Sequence, residues 1–171
     1  MNQTKNSDRA YTLIDPVSVA KLTVWEKYLK PYDKVVGYSN LGYIFLWNSD
    51  NNEYVVLNPF MATTECYGIF ASIKEFEHTV LEETDFIVEV LQASPHLELI
   101  EKAGPLENEE VYVPQPIPLI GDTKDPKTYI RADVWMFMDV IGDVQITDYN
   151  LEKMVSETEE KAAKETSIEN S

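Results

Sequence analysis

The stretch that decides the fold runs from residue 42 to residue 57 and reads GYIFLWNSDNNEYVVL. Its two ends are rich in β-branched and aromatic residues, which favour β-strands. Between them lies a cluster of residues typical of turns, Asn48-Ser49-Asp50-Asn51-Asn52. The pattern predicts an antiparallel hairpin over Gly42 to Leu57, with a loop of about five residues.

Segments on either side of this hairpin extend the predicted sheet. Residues 35–38 precede it and residues 67–71 follow it, and both have the same strand-like composition. The region around Val111 is also strand-like, but prolines at 114, 116 and 118 come directly after it. Because proline has no backbone N–H, these positions favour an edge rather than a central strand. We expect a mainly antiparallel sheet over 35–71, extended or edged by the Val111 region.

Helices are predicted at 16–30, 73–93 and 133–141. Asp15 followed by Pro16 is typical of a helix start, and Leu22, Trp25 and Leu29 then recur at helical spacing.

The second predicted helix begins at a capping box formed by Ser72 and Glu75. Thr84-Asp85 can act as a new N-cap, so two short helices are an equal alternative. The third helix has apolar residues at helical spacing at Val134, Phe137, Met138 and Ile141.

The 171 residues are enough for one ordinary domain. We predict a single α+β domain over 1–147, with helices packed on the sheet. After Asp148 the sequence becomes rich in Glu, Lys, Ala and Thr. Residues 148–171 are therefore expected to form an acidic, solvated helix and a flexible tail.

The chain is strongly acidic, with a net charge of -16 from 30 acidic and 14 basic residues. This charge would repel nucleic acid and anionic lipid, so we expect no direct nucleic-acid or membrane partner. The acidity is concentrated between Glu82 and Glu110, where nine acidic residues accompany Lys102 as the one basic residue. Two interpretations stay open, a positively charged protein partner and a surface that only maintains solubility.

The cellular compartment and the absence of catalytic chemistry are predicted from motifs that the sequence does not contain. It shows no signal peptide and no long apolar run, and Cys66 is its single cysteine, which fits a cytoplasmic protein. Only two histidines are present, and no phosphate-binding glycine loop, nucleophile elbow or paired metal-ligand motif is found. We predict no enzyme, no catalytic residue, no cofactor and no metal, with a carboxylate-based or metal-dependent hydrolase as the minor alternative.

The order of segments resembles a known bacterial family. Two glycines five residues apart are followed by a hydrophobic strand that ends in Phe, Leu, Trp and Asn, over residues 37–48. A second strand then ends in Leu57-Asn58-Pro59, and Ser72 to Phe76, Gly104-Pro105-Leu106 and Pro118 to Gly121 follow in order. Over about 35–141 the chain is similar to the C-terminal domain of type VI secretion DNase-immunity proteins, which often follows a GAD-like domain.

The resemblance implies an immunity protein that binds and neutralises a cognate toxin, here a type VI secretion nuclease with a basic surface. An acidic inhibitor suits such a partner because a nuclease presents basic residues to phosphate. The candidate partner-binding residues are Glu82, Glu83, Glu89, Glu107, Glu109, Glu110 and Tyr112. The alternative function is a general protein-interaction module of a phage or mobile element that has no toxin partner.

Overall fold

A five-stranded antiparallel sheet forms the centre of the protein, and its strands lie side by side in chain order. This computed structural model describes residues 9–93, 95–117, 128–145, 160–161 and 163–167. The strands of the sheet are β1 (Tyr11–Ser18), β2 (Lys34–Ser39), β3 (Ile44–Asn48), β4 (Glu53–Asn58) and β5 (Thr63–Ile69). A separate two-stranded antiparallel ribbon consists of β6 (Glu110–Gln115) and β7 (Thr128–Asp133).

Helices cover both faces of this sheet. A 3-10 helix, Val19–Tyr28, connects β1 to β2, and four α-helices follow within the described part of residues 73–145. They are α1 (Ile73–Phe76), α2 (Thr84–Glu89), α3 (His96–Ala103) and α4 (Val134–Gln145), with a π-helical turn, Glu77–Leu81, between α1 and α2. The predicted α+β class is confirmed.

The predicted hairpin is the β3–β4 pair. Phe45 lies opposite Val56 and Trp47 lies opposite Tyr54, and the chain turns over residues 49–52. Successive residues of a strand point to opposite faces, so each strand contributes to two hydrophobic cores. The hairpin is therefore buried on both sides, which explains its continuous apolar composition.

The two cores have different helical covers. On one face, Leu46 and Val55 pack with Trp25 of the 3-10 helix and Met138 of α4. On the other face, Tyr54 stacks on Phe76 of α1 at a centroid distance of 4.7 Å. The protein thus has three layers, with the sheet in the middle.

The predicted start of the first helix is wrong. Asp15 and Pro16 belong to β1, and the 3-10 helix begins after Ser18, whose hydroxyl accepts a hydrogen bond from Ala20 N at 3.2 Å. Pro16 is tolerated because β1 is an edge strand and its pairing with β2 is interrupted between Leu13 and Val17. The apolar positions Leu22, Trp25 and Leu29 are nevertheless buried as expected.

The placement of the Val111 region is also corrected. It forms β6 and pairs with β7, so it does not extend the main sheet.

The second predicted helix is divided into α1, the π-helical turn and α2, which matches the alternative of a broken helix. The third is confirmed and continues to Gln145. β1, β7 and α3 were not predicted.

The capping box at Ser72 is present in part. Ser72 Oγ accepts a hydrogen bond from Glu75 N at 3.2 Å, and Glu75 Oε2 accepts one from Ala71 N at 2.6 Å.

Within the described residues, no helix has the length and apolar character needed to cross a membrane. The predicted boundary between domain and tail, at 147–148, lies outside the described residues.

Candidate functional site

An acidic groove lies between β5 and the helices on one face of the sheet. It has a volume of about 310 Å³, and Glu65, Glu83, Asp85 and Glu89 line it. Its apolar lining comes from Tyr67, Val80, Phe86 and Val90. The lining includes no lysine or arginine. This combination of carboxylates and apolar surface suits a ligand with cationic heads on aliphatic stems.

Strand and helix geometry bring the four carboxylates together. Glu65 and Tyr67 are two residues apart on β5, and both line the groove. Glu83 is the N-cap of α2, and its carboxylate accepts a hydrogen bond from Asp85 N at 3.3 Å. Tyr67 meets Phe86 edge to face at 5.4 Å, which fixes α2 against the strand.

The charge of the groove is not compensated locally. Tyr67 donates a hydrogen bond of 3.0 Å to Glu65, and burial together with this bond raises the pKa of Tyr67. Within the described part of the chain, no ion pair joins Glu65, Glu83, Asp85 or Glu89 to a basic side chain. Four exposed carboxylates therefore share one concave surface.

Glu82 does not belong to this groove. Its carboxylate lies 3.7 Å from Arg9 Nη2 and 3.1 Å from His78 Nδ1. Arg9 also forms an ion pair of 2.5 Å with Glu77, whose carboxylate accepts a hydrogen bond from Tyr11 at 2.8 Å. Glu82 is therefore paired with Arg9, which lies just before β1, and its charge is partly compensated.

Glu109 is engaged by other parts of the protein. Its carboxylate accepts a hydrogen bond of 2.9 Å from Trp135 Nε1 and lies 3.6 Å from Lys21 Nζ. Lys21 Nζ in turn lies 4.3 Å from the centroid of the Trp135 ring. Glu109 thus links the 3-10 helix to α4.

Glu110 is engaged in the same way. Its carboxylate accepts a hydrogen bond of 2.8 Å from Glu107 N and lies 3.6 Å from Arg131 Nη1 on the paired strand β7. Glu109 and Glu110 are therefore paired with cations of the same chain, whereas the groove carboxylates form no such ion pair within the described residues.

Tyr112, one of the predicted partner-binding residues, is not on the surface. Its side chain is 0% exposed, and its hydroxyl donates a hydrogen bond of 2.7 Å to the carbonyl oxygen of Gly104. It packs with Leu41 and Leu99 in a small core under α3. A partner on the surface cannot touch this ring, because it is completely buried.

Cys66 and His96, two further potentially reactive side chains, lie in different parts of the described structure. Cys66 lies within β5, and burial with the nearby Glu53 raises the pKa of its thiol, which disfavours the thiolate. His96 is the first residue of α3, and its Nδ1 lies 3.4 Å from Asn40 Nδ2. No cluster of three or more potential metal-ligating side chains occurs in the described residues.

Of the four groove carboxylates, Glu83 and Glu89 are among the predicted partner-binding residues, and Glu65 and Asp85 are not. The sequence indicates only a helix-capping role for Asp85. Glu65 lies 18 residues before Glu83 in the chain, and only the packing of α2 against β5 brings the two to one surface. The alternation of Glu65 with Tyr67 along a strand was the available signal.

The comparisons with known proteins identify a similar fold but no family. No protein-family model matches the sequence, and no curated protein matches it significantly. Among solved structures, the crystal structure of Atu4351 from Agrobacterium tumefaciens is similar, with a TM-score of 0.51 and 16% sequence identity. The match covers 79% of this chain and 67% of that chain. At this identity the similarity indicates a shared fold and nothing more specific.

Proposed function

We propose that the protein is a cytoplasmic immunity protein that binds and neutralises a cognate toxin, a nuclease of the type VI secretion class. The acidic groove is the observation that carries the proposal. Its uncompensated carboxylates match the basic surface that a nuclease needs for phosphate. The protein acts by occupying that surface, without catalysis.

The sequence resemblance and the groove support the proposal in different ways. The resemblance over about 35–141 indicates the class of partner, and the groove offers a surface whose charge has the opposite sign to that partner. Long-range attraction between the two speeds encounter at low salt and weakens as salt screens it.

The decisive experiment is a growth-rescue assay with the toxin encoded beside this gene. Co-expression of the protein is expected to restore growth, and the two proteins are expected to co-purify as a complex. A toxin that kills equally well in the presence of the protein, with no complex formed, would refute the proposal. A protein that rescues no toxin but binds other partners would favour a general interaction module instead.

A further inference from the structure

The outer edge of β5 is a second feature of the surface that carries the groove. β5 is the last strand of the main sheet, and within the described residues it pairs with β4 alone. Its residues Thr63, Thr64, Glu65 and Cys66 are all exposed. In an edge strand, alternate backbone N–H and C=O groups point away from the sheet and have no strand partner.

The two edges of the sheet differ in how they are protected. Edge strands of natural proteins are commonly blocked by proline, by lysine or by a bulge. β1 has both Pro16 and an interruption in its pairing between Leu13 and Val17. In β5 the irregularity comes only after Cys66, near Gly68 with its φ of +113°, so residues 63–66 keep a regular register with β4 and contain no proline, lysine or bulge.

This regular edge borders the acidic groove. Glu65 is exposed on the edge and also lines the groove together with Glu83, Asp85 and Glu89. A strand added beside β5 would lie about 4.8 Å from it, and every second side chain of that strand would point to the groove face. Main-chain pairing and side-chain contacts would thus be satisfied at the same time, as in other cases of strand addition.

We propose that a segment of the partner adds as an extra strand along residues 63–66 of β5 and places lysine or arginine side chains in the acidic groove. The inference rests on the proposed function for the identity of the partner as the toxin. Charge complementarity selects this occupant, because the groove lining has four carboxylates and no basic residue.

A second copy of the chain is a poorer occupant of the same edge. Two β5 strands paired with each other would bring the Glu65 side chains and both acidic grooves together. Each chain also has a net charge of -16, so the copies repel one another. A cationic strand meets neither obstacle.

The test uses the full chain and a synthetic probe, an alternating Lys/Thr peptide of about ten residues, which places all lysines on one face of a strand. Backbone amide signals of residues 63–66 are expected to shift when the peptide is titrated into isotope-labelled protein. A second peptide carries N-methyl groups on alternate residues, which block pairing on one edge and keep every charge. We expect it to bind about tenfold more weakly.

A matched pair of charge variants locates the groove. Glu83→Gln with Glu89→Gln is expected to weaken peptide binding about tenfold, whereas Glu98→Gln with Glu101→Gln on α3 changes the net charge equally and leaves affinity unchanged. Equal binding of the two peptides, equal loss in the two variants, or shifts located outside β5 and the groove would overturn the proposal. So would a concentration-dependent dimer of the free protein that is lost when Glu65 is replaced by lysine.

The peptide experiment and the rescue assay can fail separately. Rescue of growth without a peptide response at β5 would overturn strand addition and leave the immunity function standing. A peptide response at β5 without rescue would keep the docking mode and remove the toxin as the partner.

Discussion

The indole Nε1 of Trp25 donates a hydrogen bond of 2.9 Å to the main-chain carbonyl oxygen of Met138. Both side chains are completely buried. The bond joins the 3-10 helix before β2 to α4, two segments that are far apart in the sequence and cover the same face of the sheet. It therefore helps to position the helical layer against β2, β3 and β4.

Trp25→Phe is expected to lower the free energy of unfolding by about 2–4 kcal/mol, because it removes buried volume and this hydrogen bond. Trp135→Phe is the matched control. Its indole donates to the exposed carboxylate of Glu109, so its loss is expected to be about 1 kcal/mol. Urea unfolding of both variants measures the difference. Equal losses would contradict a structural role for the Trp25 bond.

Gly142→Ala tests how closely α4 approaches the 3-10 helix. A Cβ at position 142 would lie 2.3 Å from Val24 Cγ2 and 2.7 Å from Trp25 Nε1. We expect a loss of about 1–3 kcal/mol in spite of the higher helix propensity of alanine. Asp143→Ala, at the exposed neighbouring position, is expected to be neutral or slightly stabilising. If both variants unfold at the same urea concentration, the helices are not in close contact.

The alkaline limit of stability should follow from the buried tyrosines. Burial is the first cause of a raised pKa in seven of them: Tyr11, Tyr32, Tyr38, Tyr43, Tyr54, Tyr67 and Tyr112. The folded state therefore holds these protons at a pH where the unfolded chain, with a tyrosine pKa of about 10, releases them. Their contribution to stability is complete below about pH 10 and is lost as the pH rises further.

We expect the urea midpoint to be constant from about pH 7 to 9 and to fall steeply by about pH 11. The free energy of unfolding should decrease by at most about 1.4 kcal/mol per pH unit for each tyrosine. Tyrosinate absorbance should appear together with unfolding. A midpoint that is equal at pH 8 and pH 11 would contradict this account.

The sequence was most informative where residues are buried. The hairpin of β3 and β4 and the apolar face of α4 were predictable, because their hydrophobic pattern is fixed by contact with a core. The first helix was misplaced because Pro16 suits a helix start and an edge strand equally well, and only the pairing of β1 with β2 decides between them. Local propensity carries no information on that long-range pairing.

The candidate site was predictable only in part for a related reason. A carboxylate in the sequence gives no indication of whether a cation elsewhere in the fold will neutralise it. Glu109 and Glu110 looked as exposed as Glu83, but packing brings Lys21 and Arg131 to them. Glu65 enters the groove through a tertiary contact between a strand and a helix that are separate in the chain.

Tyr112→Phe distinguishes a core role from a role in binding. The hydroxyl donates to the carbonyl oxygen of Gly104 at 2.7 Å, so its removal should cost about 1 kcal/mol of folding free energy. The affinity for the toxin should stay within about twofold of the unmodified protein, because the ring has no exposed surface. Isothermal titration and urea unfolding of the same sample provide both numbers. A large loss of affinity at unchanged stability would return Tyr112 to the binding surface.

The two acidic groups make different predictions for association with the toxin. Glu83→Gln with Glu89→Gln should slow association by about tenfold at low salt and reduce its salt dependence, because these carboxylates have no cationic partner in the described structure. Glu109→Gln with Glu110→Gln should leave the association rate nearly unchanged and lower stability by about 1 kcal/mol, since these charges already pair with Lys21 and Arg131. Stopped-flow measurements at several salt concentrations separate the two. If both double variants slow association equally, the net charge of the whole protein steers the partner, and the groove has no special part in recognition.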